Sequence, residues 1–306
     1  MDWLARVCAE LAGRSVWGYS RGDRSASEPA ALVGMALTAS GDFQGARASL
    51  DWLRSIQARD GSIGVSASQR EPGWPTAWAL AAWIAFDAAT TGSTYRVPAQ
   101  KGVAWLLSIK GETLPASPEF GHDVSLVGWP WVEHTHSWLE PTALAVMALR
   151  YAEHGGHPRV KEGIRLLIDR LLDEGGCNYG NTVVDGQALR AHVQPTGLCL
   201  LALAGEHEGS GKLRRSIDWL GRSVGPATTP VSLAYALAGL SAHGQFLPQA
   251  EQWLRAQALR ELTREARAYP LALIAWAAYR CRRDATSPAL SSTIASMTSL
   301  TSDAHG

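Results

Sequence analysis

The stretch richest in groups able to move protons is GHDVSLVGWPWVEHTHSWLEP, residues 121–141. It gathers Asp123, Glu133, His134, His136 and Glu140 in one connection, interleaved with Trp129, Trp131 and Trp138. Histidine changes charge near neutral pH and a neighbouring carboxylate can orient it, so the set suits general acid–base work. Asp185 and His192 lie in the next long connection and are expected to approach the same place, completing the candidate catalytic group. The plainer reading is a polar loop that caps helix ends and packs its tryptophans over a rim. His134 and His136 alternate, which in an extended strand puts both rings on one face. Asp123, Glu133 or His192 would then complete the three or four ligands that zinc needs. Against this stands a pair of ordinary surface histidines. No cofactor is expected, zinc being the one metal that the set would suit.

Aromatic residues form the second chemical resource. Of thirteen tryptophans, Trp3, Trp52, Trp105, Trp219 and Trp253 recur beside a leucine in charged segments such as SLDWLRSIQ and are expected to pack between layers. Trp74, Trp78, Trp129 and Trp138, with Tyr179, fall near the candidate loops and are the expected substrate-binding wall. Aromatic faces stabilise cations, and they serve an apolar ligand or a sugar equally well.

The elements that must position these groups follow from a repeat. SEPAALVGMAL (27–37), WPTAWALAAW (74–83), EPTALAVMAL (140–149) and QPTGLCLLAL (194–203) each place a proline before a small, apolar run, and weaker copies start at Thr229 and Tyr269. Proline is tolerated in the first helical turn, where its missing N–H would be unpaired anyway, so it starts each helix. Between these runs stand the charged Trp-Leu segments, with a degenerate copy at Leu166-Leu167, whose apolar residues recur at helical spacing on one side only.

Charged helix followed by buried helix, six times over, means stacked hairpins. An open superhelix would need polar caps at its ends. Neither terminal repeat is polar, so the expected fold is all-α, an α6/α6 toroid of six helical hairpins in two concentric rings. Residues 1–284 are expected to form this single domain, and 285–306, rich in Ser, Thr and Ala, a weakly ordered tail. The longest connections, 58–74, 110–137 and 174–193, all run from a charged to a buried helix. They therefore meet at one end, beside the N-termini of the inner ring.

Bulk properties narrow the partners. Acids and bases balance, 28 each, and no Lys/Arg block occurs, which argues against nucleic acid or an anionic membrane surface. The opening MDWLARVCAELAGR carries charges through its apolar positions and reads as an amphipathic helix, neither a signal peptide nor a membrane span. Four separated cysteines without a CxxC pair suit buried thiols in a cytoplasmic protein.

SLDWLRSIQARDGSIG (49–64) resembles the QW repeat of squalene-hopene cyclases, in which a glutamine near a helix end is followed by Gly-x-Trp. DEGGCNYGN (173–181), followed by QPTGLCLLAL, is similar to the repeats shared with protein prenyltransferase β-subunits. Ile63 takes the tryptophan position and Cys177 the place of an aromatic. The resemblance spans about residues 1–282 and implies a terpenoid cyclase-like toroid. It further implies an enzyme, a lyase or isomerase, that holds an apolar prenyl or polycyclic small molecule in a central cavity. The DxDD acid of class II cyclases is absent, and where prenyltransferases hold zinc with Asp-x-Cys this chain has Asp185 and Gln187. Two alternatives stand beside that reading: a non-catalytic binding or scaffold protein on a degenerate toroid, and a carbohydrate-active α6/α6 enzyme. The latter needs two carboxylates across a cleft, for which Glu133 or Glu140 with Asp185 are the candidates.

Overall fold

The computed structural model describes residues 2–20, 22–115, 120–184 and 186–286; the expected tail lies outside them but for its first two residues, which prolong the last helix. Among the described residues there are twelve α-helices and one two-stranded ribbon, β1 (Val183–Val184) with β2 (Gln187–Ala188). The inner helices are α2 (Ser27–Ser40), α4 (Thr76–Ala89), α6 (Leu139–Tyr151), α8 (Val193–Ala202), α10 (Pro230–Ala242) and α12 (Ala268–Thr286). Each packs on the next, and α12 packs on α2, so the ring closes. The outer helices are α1 (Trp3–Ala12), α3 (Phe43–Ile56), α5 (Arg96–Ser108), α7 (Pro158–Asp169), α9 (Lys212–Ser223) and α11 (Ala250–Arg264). Contacts of α1 with α11 and α12 seal the join between the chain's two ends. The fold is an α6/α6 toroid.

Composition sorts the two layers. In α4 every residue from Thr76 to Trp83 is buried, and α2 is buried from Ser27 to Thr38, as helices flanked on both sides require. In α9 only Leu213, Ser216 and Leu220 are buried, a single stripe at three- and four-residue spacing. The prolines do what their position demands. Pro29, Pro141, Pro195 and Pro270 stand third in their helices, Pro230 first, and Pro75 immediately before α4. None removes an intrahelical hydrogen bond, because the first-turn N–H groups have no partner to lose.

Glycine turns bolt successive hairpins together. Gly61 has φ +100° and Gly175 φ +96°, conformations that side chains rarely adopt. A Cβ on Gly61 would stand 2.3 Å from the Lys101 carbonyl oxygen in α5, and one on Gly175 would stand 2.4 Å from that of Arg215 in α9. Gln57 works at the same joint, donating to Gly61 O and Pro98 O, both at 3.0 Å. The glutamine and glycine of the cyclase-like repeat therefore join one hairpin to the next outer helix. They position the ring and take no part in its interior.

Candidate active site

Connections from outer to inner helices gather at one end of the toroid, and the candidate loop residues are found there on the solvent side. Glu133, His134 and His136 are exposed. His134 has φ +61°, which breaks the extended run that a shared ligand face for His134 and His136 requires. His136 instead joins a parallel bridge to Glu112. Among the described residues no three His, Cys, Asp or Glu side chains converge as a metal site would need. Exposed Asp123 spends its carboxylate on its own turn, accepting from Ser125 Oγ at 2.6 Å and Ser125 N at 2.9 Å, bonds that hold its pKa down. His192 precedes α8 and packs its ring on Tyr179, centroids 5.4 Å apart. Asp185 lies outside the described residues.

The aromatic candidates divide similarly. Trp129 is buried, donates from Nε1 to Leu106 O at 2.7 Å and lies 4.3 Å beneath the Arg159 guanidinium, an arrangement that packs the loop onto α5 and α7. Trp74 meets Trp131 edge-on at 5.1 Å, and Trp138 is exposed. Of the expected site residues that are described, buried Trp78 and half-buried Glu140 are the two that adjoin a group at the N-termini of the inner helices.

There they meet residues that the loop-centred reading passed over. Glu28, the second residue of α2, is 6% exposed and accepts a hydrogen bond from the Tyr19 hydroxyl at 2.8 Å. Tyr19 comes from the connection between α1 and α2, and its ring packs edge-on against Tyr269 at 5.2 Å. Tyr269, Trp78 and Tyr235 also turn their polar atoms toward the Glu28 carboxyl. Trp78 Nε1 and the Tyr235 hydroxyl are buried without a partner within hydrogen-bond distance. Burial pushes the Glu28 pKa up to about 7 despite these donors, and burial, followed by repulsion from Glu28, pushes Glu140 to about 7 as well. In the ring, α4 stands between α2 and α6, so Trp78 lies between the two acids' helices.

Among the described residues no basic side chain offsets the charge of either acid. Two carboxyls held near neutrality, one repelling the other, are the ingredients of an acid–base pair. Below them the axis is filled. Trp78 contacts Tyr235 at 6.4 Å and Trp276 at 6.1 Å, and its partners' helices α10 and α12 are not its neighbours in the ring. Indole and phenol rings of Trp78, Tyr235 and Trp276 thus meet across the axis, within the inner ring of helices that also carries the acids.

A signal for Glu28 was present in the sequence. Ser-Glu-Pro at 27–29 repeats the Leu-Glu-Pro of 139–141, placing a carboxylate just before the proline of two inner helices. The other four carry Trp74, Gln194, Thr229 and Tyr269 at that place.

No family model matches the sequence, and no curated protein matches it. Solved structures resemble it over nearly its whole length. The type II terpene cyclase MstE from Scytonema shares 14% identity at a TM-score of 0.58, with 93% of this chain and 100% of that one covered. The endo-beta-1,4-glucanase CMCax from Acetobacter xylinum shares 14% at 0.58, covering 93% and 99%. The alpha-1,6-mannanase GH76A of Salegentibacter sp. HEL1_6 shares 13% at 0.59, covering 92% and 99%. The likeness is one of fold. It bears out the toroid, and it singles out neither the squalene-hopene cyclase family nor a substrate.

Proposed function

We propose that this toroid, over residues 1–284, is a cytoplasmic enzyme that protonates an apolar, prenyl-type substrate at its mouth. Glu28 is the acid and Glu140 the base that takes a proton back, in a terpenoid cyclase-like reaction without a cofactor. The observation that carries this reading is the pairing of buried Glu28 with half-buried Glu140, neither offset by a cationic side chain among the described residues. Burying such groups costs stability, and a scaffold would gain by replacing them with apolar residues. A carboxyl with a pKa near 7 is half protonated at neutral pH, and its reluctance to ionise eases proton return. Tyr19, Tyr235, Tyr269 and Trp78 offer aromatic faces to a developing carbocation.

Access requires the Tyr19 connection to lift and the Trp78 side chain to move. The exposed groups Asp123, Glu133, His134, His136 and His192 edge the approach, together with Trp74, Trp138 and Tyr179. They hold no proton that the first step needs.

The alternative, hydrolysis of a glycoside, draws on the same two carboxyls. Against it, the side chains that face Glu28 among the described residues are three phenols and an indole, which suit an apolar substrate better than a sugar. The test incubates the protein with a polyprenyl arene and, separately, with β-1,4- and α-1,6-linked oligosaccharides, and follows products by mass spectrometry. Conversion of the prenyl compound, lost in both Glu28→Gln and Glu140→Gln, is expected. Cleaved oligosaccharide, or prenyl turnover that survives both substitutions, overturns the assignment.

A further inference from the structure

A second site lies outside the acid pair. Between the 110–137 connection and residues 180–181 is a recess of about 200 Å³. Leu114, Phe120 and Trp138 give it an apolar wall, and Arg170, just past α7, forms part of its lining.

Arg170 is 6% exposed, yet among the described residues its Nε and Nη1 have no hydrogen-bond partner. Its Nη2 makes one long bond, 3.4 Å to Asp123 O. The nearest carboxylate oxygen, Asp169 Oδ2, is 3.8 Å from Nε and already accepts the Asp123 N–H at 3.0 Å. Burial pushes the Arg170 pKa down to about 10, still well above neutrality, so the charge persists without adequate compensation.

A second donor stands on the same lining. His122 Nδ1 stands 3.2 Å from the Thr182 hydroxyl and 3.4 Å from the Thr182 N–H, and accepting that N–H puts a ring proton on Nε2. Glu112, exposed at the margin, is the acidic group on the lining among the described residues, and it disfavours a ligand of high negative charge.

We infer that this recess binds a small monocarboxylate with an apolar body, its carboxylate answering Arg170 and His122 and its body lying on Phe120, Leu114 and Trp138. A single guanidinium in an apolar setting matches one carboxylate better than a phosphate dianion, which usually recruits several cations. The site is independent of the proton chemistry assigned to Glu28, because none of its residues touches that carboxyl.

Binding of 4-fluorophenylacetate, followed by fluorine NMR, tests this directly. The uncharged 4-fluorophenylethanol and inorganic phosphate are run beside it. The acid is expected to bind at least tenfold more tightly than the alcohol, and phosphate is expected not to displace it. Arg170→Met should abolish the preference for the acid. Leu126→Trp, which fills the recess and leaves Arg170 in place, should weaken both aromatic probes, with circular dichroism and a melting curve confirming that each variant is folded. Equal binding of acid and alcohol, competition by phosphate at similar concentration, an acid preference that survives in folded Arg170→Met, or undiminished binding of both probes in folded Leu126→Trp overturns the inference. None of these readouts involves turnover, so failure here leaves the acid-pair reading standing, and the reverse also holds.

Discussion

Replacing Glu28 by glutamine should flatten the pH dependence of stability. In the fold this carboxyl is held at about 7 rather than 4.5, chiefly by burial. Between those two values the folded protein keeps a proton that the unfolded chain has lost, so stability falls as pH rises through this window. Below about 4.5 both states are protonated and nothing is lost; above about 7 the loss is complete. At about 1.36 kcal/mol per pH unit, the window amounts to about 3 kcal/mol. Glutamine has no such loss, and its carbonyl oxygen can still accept from Tyr19. Its amide meets a cage of donors, which adds an offset independent of pH; the slope is therefore the quantity to read. Urea denaturation followed by tryptophan fluorescence at pH 5, 6, 7 and 8 should show the variant gaining on the native protein by about 3 kcal/mol across the series. In thermal melts the same gain corresponds to about 6 °C, at roughly 2 °C per kcal/mol for a chain of this size. Parallel stability curves for the two proteins would falsify the claim that Glu28 sits protonated inside the fold.

Tyr19→Phe removes the first-named donor to Glu28, so the acid's pKa should rise further and the acid-form activity should extend to higher pH, read from a pH–rate profile of the prenyl assay. Gly61→Ala forces a Cβ against the α5 backbone at a φ that alanine avoids, and should cost at least about 2 kcal/mol in urea unfolding, with an unchanged pH slope. Trp78→Ala removes the indole packed across the axis and should destabilise by about 3–5 kcal/mol. If that variant folds, it should bind an apolar fluorescent dye that the native protein excludes; a folded variant that binds no more dye would mean that the axis is closed by other side chains.

The architecture was legible because it rests on signals the chain repeats. Proline before an apolar run has one low-cost place in a helix, the first turn, and six such runs alternating with one-sided stripes leave few arrangements besides stacked hairpins. Pro29 and Pro141 show the rule at work, and Leu213, Ser216 and Leu220 show its outer-ring counterpart. The site was legible only in part, since density of polar residues in a loop says little about where side chains point. His134 and His136 are separated by one residue in sequence, but a left-handed backbone at His134 breaks the extended run that would put them on one face. Loop length misled in the same way. The 13–26 connection was not among the longest, yet it brings Tyr19 over the mouth.

Glu28 and Glu140 are separated by 112 positions in the chain, and what relates them is their place in the repeat, one residue before the proline of an inner helix. In a closed ring, equal repeat position becomes equal height on the axis. Groups at that place approach each other whatever their distance in sequence. At one such place a polar side chain can point into the mouth without breaking the apolar packing below it, because the first helical turn leaves its own N–H groups free and the ring is only beginning to close. The acids are therefore where the fold tolerates them at the smallest cost, and the neutral-range pKa values measure the cost that remains. That cost, at Glu28 beneath its tyrosines and at half-buried Glu140, is the physical ground on which the proposed acid–base reading rests.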